Sequence, residues 1–370
     1  MPESNFHHFK VDHVALRYSS FAPRLFNFCL AQGMRPDSIM PSRAFCSDEN
    51  QGYPIILIAK HFGTFPFNHG RVGGIVATDR HAPHSDHGKD VVIIQASHVG
   101  YDPATERFGV YRRLQTEGVE MSTDCGAICG VLHWFEDEYN FACHQILLER
   151  DGDRRLLVID NQLLNDEREE GLFLKFERLT AGKKVVKSFS TAKSFVASER
   201  LVRQYGDAWP EHKTAIGRKL TADAFYYRRK SDAALASGLL IRNLLKAMPE
   251  IICSQFPALS AAKINTQMEF DRTFRTIVKE EAYRGKKVVF ISGIHIDISP
   301  QAGTLFPLTK FVPWAAYIQH EDGEGYTLEQ DELYAALQQQ SAENPYKIDL
   351  TEAIHKMEQE PGVLLHSDAS

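Results

Sequence analysis

The sequence has few of the features that mark secreted or membrane proteins. Its 370 residues include only 6 cysteines, scattered without the regular spacing of a disulfide framework. No stretch approaches the roughly 20 apolar residues that a membrane-spanning helix needs. Residues 1–10 are polar and lack the apolar core of a secretory signal. We therefore expect a cytoplasmic protein whose cysteines are mostly free thiols.

Positive charge is not in excess either. The chain has 42 Lys and Arg against 48 Asp and Glu, a formal net charge of -6. Its short basic run, residues 228–230, has acidic neighbours. We therefore expect neither nucleic acid nor an anionic membrane surface as a partner. Hydrophobic residues make up 43% of the chain, which is enough to bury a full core.

Segments with strand and helix patterns alternate along the chain. Continuous apolar runs predict buried strands at residues 72–78, 91–96, 287–294 and 310–318, and the run at 54–59 fits either a strand or a helix. Helical periodicity marks residues 21–32, 126–149, 192–204, 232–248, 262–283, 327–340 and 350–359. This alternation predicts an α/β fold, with a largely parallel sheet flanked by helices. We predict a main domain over residues 1–320, including a helical insertion at about 176–283, and a polar helical appendage over 321–370.

Three motifs place cysteine or histidine at the ends of predicted elements. Cys46 follows a short extended segment and has Asp48 two residues later. His98 comes just after the strand 91–96, where open α/β sheets bind their ligands. Cys125 begins the helix 126–149, with Asp124 as a possible N-cap, and a helix N-terminus favours the thiolate.

Two thiolates and one imidazole form a ligand set that suits zinc, with a fourth position left for water. The gaps between the three residues are long. The alternative is therefore that they share no metal ion, with Cys46 and Cys125 as buried thiols and His98 as an ordinary histidine. Cys129, one helical turn after Cys125, is an alternative ligand or a redox partner of Cys125. A further alternative makes Cys46 a nucleophile with His98 as its base.

Short segments around these residues resemble one known family. They are Ser42–Glu49, Gly63–Phe67, His81–Pro83, Ser97–Tyr101 and Cys125–Ala127, with a weaker match at Ser292–Asp297. They are similar, in order and in spacing, to the limiting-CO2-inducible protein B/C family, also called θ-type carbonic anhydrases. The resemblance extends in patches over residues 10–318.

The resemblance implies a β-carbonic-anhydrase-like fold and a homodimer. It implies that Zn2+ is held by Cys46, His98 and Cys125. The implied reaction is the reversible hydration of carbon dioxide to bicarbonate by zinc-bound hydroxide, with Asp48 as the catalytic carboxylate. Carbon dioxide and bicarbonate are the implied small-molecule partners.

One position departs from the pattern of ordinary β-carbonic anhydrases, which is Cys-x-Asp-x-Arg. Here Asn50 stands where the arginine would be. Another cation must then orient Asp48, and the resemblance favours Arg113. The alternatives are Arg112, Arg43 and Arg80. The departure keeps two other functions open: a catalytically inactive zinc-binding scaffold or bicarbonate-responsive partner, and a zinc hydrolase of another small substrate such as carbon disulfide.

Two further sets of residues can be interpreted either as functional or as ordinary structural residues. Phe67, Phe45 and Val99 are predicted to form an apolar wall for carbon dioxide, and ordinary core packing explains them equally well. The histidines of residues 81–87 suit a proton shuttle, because an unperturbed imidazole titrates near neutral pH. A solvated loop is the alternative for them.

Overall fold

The computed structural model describes residues 9–77, 90–112, 121–230, 238–300 and 308–359. Its main sheet consists of β1 (Leu16–Arg17), β2 (Ile39–Ala44), β3 (Phe67–Asn68), β6 (Asp90–Asp102), β7 (Arg107–Phe108), β17 (Val288–Ile298), β18 (Leu308–Gln319) and β19 (Gly325–Leu328). The main order is β1-β18-β17-β6-β2-β3, and the four strands β17, β6, β2 and β3 run parallel. The remaining strands of this sheet pair antiparallel. The predicted α/β fold class is therefore confirmed.

Helices cover both faces of this sheet, which is why its central strands are continuous apolar runs. One face packs against α1 (Tyr18–Ala31), α2 (Gly52–Phe62) and α9 (Gln330–Gln338), and the other against α8 (Pro257–Lys279). Val92 and Ile94 point toward the first face, and Val91 and Ile93 toward the second.

The predicted strand 91–96 extends to residue 102, so His98 lies inside β6 and not beyond its end. The run 54–59 lies in the helix α2.

A second, antiparallel sheet occupies residues 146–215, part of which was predicted to be helical. It consists of β10 (Ile146–Asp151), β11 (Arg154–Asp160), β13 (Thr180–Ser188), β14 (Ala192–Ala197) and β15 (Thr214–Ala215). The helix predicted over 192–204 is wrong in its first half, because Ser194 and Phe195 are buried and pair with β11. The helix α5 (Glu199–Tyr205) starts only after Ser198, whose side chain accepts a hydrogen bond from the Leu201 N–H. The helical insertion is thus a mixed segment.

The other strands form three separate two-stranded antiparallel sheets. They are β4 (Gly70–Arg71) with β5 (Ile75–Val76), β8 (Val110–Arg112) with β9 (Met121–Thr123), and β12 (Gly171–Leu174) with β16 (Phe225–Arg228). The remaining α-helices are α3 (Gly126–Gln145), α4 (Phe176–Leu179), α6 (Gly238–Leu244), α7 (Met248–Cys253) and α10 (Leu350–Gln359). The buried strand predicted over 72–78 is wrong: Val72 is exposed in a turn, and only two residues pair as β5.

The segment after residue 320 packs onto the main sheet, in contrast to the predicted appendage. β19 pairs with β18, and Leu333 and Leu337 of α9 are fully buried against α1. Asn344 is also buried and donates a hydrogen bond to the carbonyl of His61. The last helix, α10, has the predicted bounds. None of the described helices is long and apolar enough to cross a lipid bilayer.

Candidate metal centre

The structure brings Cys46, His98 and Cys125 together. Their potential ligand atoms all lie within 4.8 Å of one another. The side chains are buried, with exposed fractions of 4%, 0% and 2%. A soft ligand set of this kind, removed from bulk water, can hold a metal ion. The grouping predicted from the sequence is therefore confirmed.

Each of the three residues comes from a different element. Cys46 lies two residues beyond β2, His98 lies within β6, and Cys125 is the residue that precedes α3. Parallel pairing of β2 with β6 ends at Ala44 opposite Gln95, which leaves Cys46 near the continuing strand that carries His98. The chain that leads to Cys125 approaches the same strand at Gly100.

Gly100 permits that approach. A Cβ atom there would lie 2.5 Å from the Val110 carbonyl oxygen and 2.7 Å from the Asp124 Cβ. Both distances are too short for any side chain. A glycine two residues after His98 therefore lets residues 124 and 125 lie against β6.

The two sulfur atoms shift each other's pKa in opposite directions. A hydrogen bond from the Cys125 thiol, together with the nearby His98, lowers the pKa of Cys46 to about 3. The hydrogen bond to Cys46, and burial, raise the pKa of Cys125. The backbone N–H of Gly73 donates a further hydrogen bond to Cys46 Sγ at 3.2 Å. The hydrogen bonds that Cys46 accepts favour the thiolate form that a metal ligand requires.

The His98 ring is held on one side only. Its Nδ1 lies 3.0 Å from Oδ2 of Asp297 and 3.2 Å from Oδ2 of Asp124, whereas its Nε2 is buried without a hydrogen-bond partner. Burial by itself lowers the pKa of His98, but the charges of Asp124 and Cys125 outweigh it and raise the pKa. A histidine bound to a carboxylate through one nitrogen, with the other nitrogen buried and unpartnered, has the arrangement of a zinc ligand. The residues present therefore fit a zinc ion.

The same ring belongs to a second group of potential ligands, His98, Asp124 and Asp297. Since Nδ1 of His98 already donates to a carboxylate there, this group serves the ring as a hydrogen-bond partner.

Asp48 is the N-cap residue of the short 3-10 turn Glu49–Gln51 that follows Cys46. Its side chain accepts a hydrogen bond from the Asn50 N–H at 3.1 Å, and burial raises its pKa to about 6. In the described part of the chain, none of its hydrogen bonds or ion pairs involves an arginine. Asn50, which stands where the Cys-x-Asp-x-Arg pattern has its arginine, donates instead to Oδ1 of Asp124 at 2.9 Å.

The arginines proposed as partners of Asp48 lie elsewhere or outside the described residues. Arg113 and Arg80 fall in the ranges that are not described. Arg43 acts on His69: burial of the ring, and then the charge of Arg43, lower the pKa of that histidine to about 3. Arg112 is in β8, with a buried Nε that makes no hydrogen bond. The histidines of residues 81–87 are likewise outside the described ranges.

The three residues predicted to form an apolar wall are not brought together. Phe45 packs on the α1 face of the sheet, with its ring centroid 4.5 Å from that of His295. Val99 is buried in the cluster that contains Cys46 and Cys125. Phe67 lies on the edge strand β3 and is 45% exposed.

Several residues of this centre were not found by sequence reasoning. Gly73, Gln51 and Asp297 contact the ligands or their carboxylate partners, and only Asp297 lay in a segment with a family resemblance. Tyr111 is buried close to the carboxylates: burial, and then the charges of Asp297 and Asp124, raise its pKa. These residues come from distant parts of the chain and share no local pattern.

Two expectations about residues next to Cys125 can also be compared with the structure. Cys129 is outside the ligand group, with its thiol directed at the carbonyl of Gly109 at 3.8 Å. Asp124 does not cap α3, whose N-cap residue is Cys125 itself. Its side chain is turned toward Asn50 and His98 instead.

No model of a known protein family matches the sequence, and the search of curated proteins finds no significant match. Solved structures do match. The chain is similar to the crystal structure of PtLCIB4, a homolog of the limiting CO2-inducible protein LCIB, with a TM-score of 0.50 and 12% identity, covering 85% of this chain and 94% of that one. LCIB itself matches with a TM-score of 0.46 and 13% identity, covering 89% of this chain and all of its own. The likeness to PtLCIB4 shows that this chain has the fold of the family that its sequence motifs resemble.

Proposed function

We propose that this protein is a zinc-dependent carbonic anhydrase that catalyses the reversible hydration of carbon dioxide to bicarbonate. The observation that carries the proposal is the buried Cys46, His98 and Cys125 group, with the unpartnered Nε2 of His98. The fold shared with PtLCIB4 supports it. A cytoplasmic homodimer that acts on dissolved carbon dioxide, without nucleic acid or membrane, completes the proposal.

The chain's own residues have distinct tasks in this reaction. Cys46 and Cys125 would hold the ion as thiolates, and His98 would hold it through Nε2. Zinc in this position supplies Lewis acidity that makes a hydroxide nucleophile available near neutral pH.

Asp48 orients the attacking water in this proposal. One carboxylate oxygen accepts the Asn50 N–H, and the other is left to accept a hydrogen bond from the nucleophile. Val99, buried with the two cysteines, excludes water from its side of the centre. Arg113 is proposed as the cation that holds Asp48 ionised, because burial alone raises the pKa of a carboxyl group.

A second candidate is a zinc-binding member of the same fold without activity. It is favoured by one observation: Asp48 has no arginine partner in the described part of the chain, and Asn50 is already engaged with Asp124. Such a protein would keep its metal and would act as a scaffold or as a bicarbonate-responsive partner.

One experiment separates the two candidates. Zinc content and carbon dioxide hydration, followed by stopped flow, are measured for the wild type and for Cys46→Ser, Asp48→Asn and Cys253→Ser. We expect one zinc per chain in the wild type, loss of zinc and of hydration in Cys46→Ser, and zinc with about 100-fold slower hydration in Asp48→Asn. Cys253, an exposed thiol, is the matched control and should change neither. Zinc without hydration in the wild type would favour the inactive member, and absence of zinc would overturn both.

A further inference from the structure

We infer that Asp297 is the residue that orients the His98 ring and so directs Nε2 toward the metal. The inference rests on the metal centre of the proposed function. It assigns a positioning role to a residue of β17, which is far in the sequence from all three ligands.

A polar row crosses three adjacent strands of the main sheet. His98 is on β6, Asp297 on the neighbouring β17, and Thr309 on β18 directly opposite Asp297 in the strand register. All three are buried. A buried polar group needs a hydrogen-bond partner, and in this row each member supplies one to the next.

The hydrogen bonds of Asp297 all run in one direction. Oδ1 accepts from Thr309 Oγ1 at 2.8 Å, and Oδ2 accepts from Gln51 Nε2 at 2.9 Å and from His98 Nδ1 at 3.0 Å. The other end of the Gln51 amide, Oε1, accepts from Nδ1 of His295. A flipped amide would turn an oxygen toward the carboxylate, so the contacts on both ends of Gln51 fix its orientation.

This arrangement determines which nitrogen of His98 is free. Gln51 and Thr309 both donate to Asp297, so its carboxylate is held as an acceptor. An accepting carboxylate selects the tautomer of His98 with the proton on Nδ1, which leaves the lone pair of Nε2 for a metal ion. A ligand ring held in this way loses little freedom on binding, which is why such carboxylates contribute to metal affinity.

Asp124 is the competing carboxylate, and its geometry is weaker. Its Oδ2 is 3.2 Å from the same nitrogen but makes no hydrogen bond of good geometry. Its Oδ1 is held by Asn50. The position of Asp124 thus follows from its place next to Cys125 in the sequence. The position of Asp297 follows from the main sheet, which also carries His98.

The test compares the two carboxylates in variants that keep their shape. In Asp297→Asn the oxygen can still face His98 and Gln51, and the new amide can donate to Thr309 Oγ1, so the fold is retained while the charge is lost. Zinc affinity is measured by chelator competition, and the unfolding of the metal-free form is measured in parallel. We expect about 10- to 100-fold weaker zinc binding for Asp297→Asn, a smaller loss for Thr309→Val, and wild-type affinity for Thr309→Ser.

Controls and a spectroscopic readout separate orientation from stability. Asp102, a buried aspartate on β6 that accepts from Thr105 in its own turn, is the matched control and Asp102→Asn should keep wild-type affinity. With Co2+ in place of zinc, Asp297→Asn should shift the ligand-field bands and keep the sulfur charge-transfer band.

Two results would overturn the inference: wild-type affinity in Asp297→Asn, or a larger loss in Asp124→Asn than in Asp297→Asn. Zinc binding that depends on Asp297, in a protein that does not hydrate carbon dioxide, would instead refute the proposed activity and leave the positioning role supported.

Discussion

The backbone N–H of Gly73 donates a hydrogen bond to Sγ of Cys46 across 3.2 Å. The turn that carries this N–H is fixed from the opposite side by Asn265 of α8. Asn265 Nδ2 donates to the Gly73 carbonyl at 3.0 Å and to Ser97 Oγ at 2.9 Å. One amide side chain therefore connects a ligand's hydrogen-bond donor to the strand that carries His98.

A buried carboxylate fastens the other end of the same turn. Glu269, one helical turn after Asn265, is fully buried and accepts the Val76 N–H at 2.7 Å. Asn243 bridges the two, with 2.8 Å bonds to Asn265 Oδ1 and to Glu269 Oε1. Because Arg272 pairs with Glu269, the charge of that carboxylate is compensated.

Replacement of Asn265 is expected to weaken both the fold and the metal centre. Asn265→Ala leaves the Gly73 carbonyl and the Ser97 hydroxyl without this donor, at about 1–3 kcal/mol for each unsatisfied group. Urea unfolding of the metal-free protein should show the lower stability, and chelator competition the weaker zinc binding. Gln204→Ala removes an amide-to-carbonyl bond at the surface and should change neither. Wild-type zinc affinity in Asn265→Ala would show that the Gly73 turn keeps its conformation without the hydrogen bonds from Asn265.

A methyl group at Gly100 should separate Asp124 and Cys125 from β6. The new Cβ would meet the Val110 carbonyl and the Asp124 Cβ inside contact distance, and overpacking of this kind costs about 1–3 kcal/mol. Gly100→Ala should therefore unfold at lower urea and lose zinc. Gly130→Ala, in α3 with open space around the site, should be more stable than the wild type by about 0.5–1 kcal/mol. Equal stability of Gly100→Ala and the wild type would contradict the close approach.

Acid should weaken the contact between His61 and the segment after α9. Burial, with smaller contributions from Lys60 and Lys347, lowers the pKa of His61 to about 4, and Asn344 donates to its ring and carbonyl. The unfolded chain therefore binds a proton more readily than the folded one. The stabilisation is complete above about pH 6.5 and is lost as the pH falls toward 4.

The measurement compares unfolding free energies at pH 7.5 and pH 5. His61→Gln should lose about 1 kcal/mol less than the wild type on acidification, a value reduced for solvent screening of the two lysines. His355→Gln, at an exposed position of α10, is the control and should behave as the wild type. If His61→Gln and the wild type lose the same free energy, His61 does not titrate in this range.

The resemblance of short segments to a known family predicted the ligand set, and local patterns supported two of its three positions. Cys46 follows an extended segment, and Cys125 begins a helix whose apolar spacing is clear. The polar residues of α8 show the opposite case. Nothing in the local sequence marks Asn265 and Glu269 as buried, whereas in the structure they are buried against the Gly73 turn.

The second sheet was missed for a related reason. Residues 192–204 have helical periodicity when read alone, but β14 pairs with β13 in a hairpin and with β11 at 32 residues or more. Local spacing did not distinguish the hairpin from a helix, and the pairing with β11 cannot be read from it. Likewise the role of Asp297 depends on the register of β17 with β6 and β18, which no single segment specifies.

The parallel pairing of β6 with β17 also determines when a metal ion can be captured as the chain folds. Residues 91–101 pair with residues 288–298, so nearly 200 residues must be synthesised between the two strands. Such non-local contacts form slowly, since the loop must close before its contacts stabilise it. A nascent chain that already contains Cys46, His98 and Cys125 still lacks the strand that orients the histidine. The metal ion would then bind late, after the central sheet has formed, and would not nucleate the folding of that sheet.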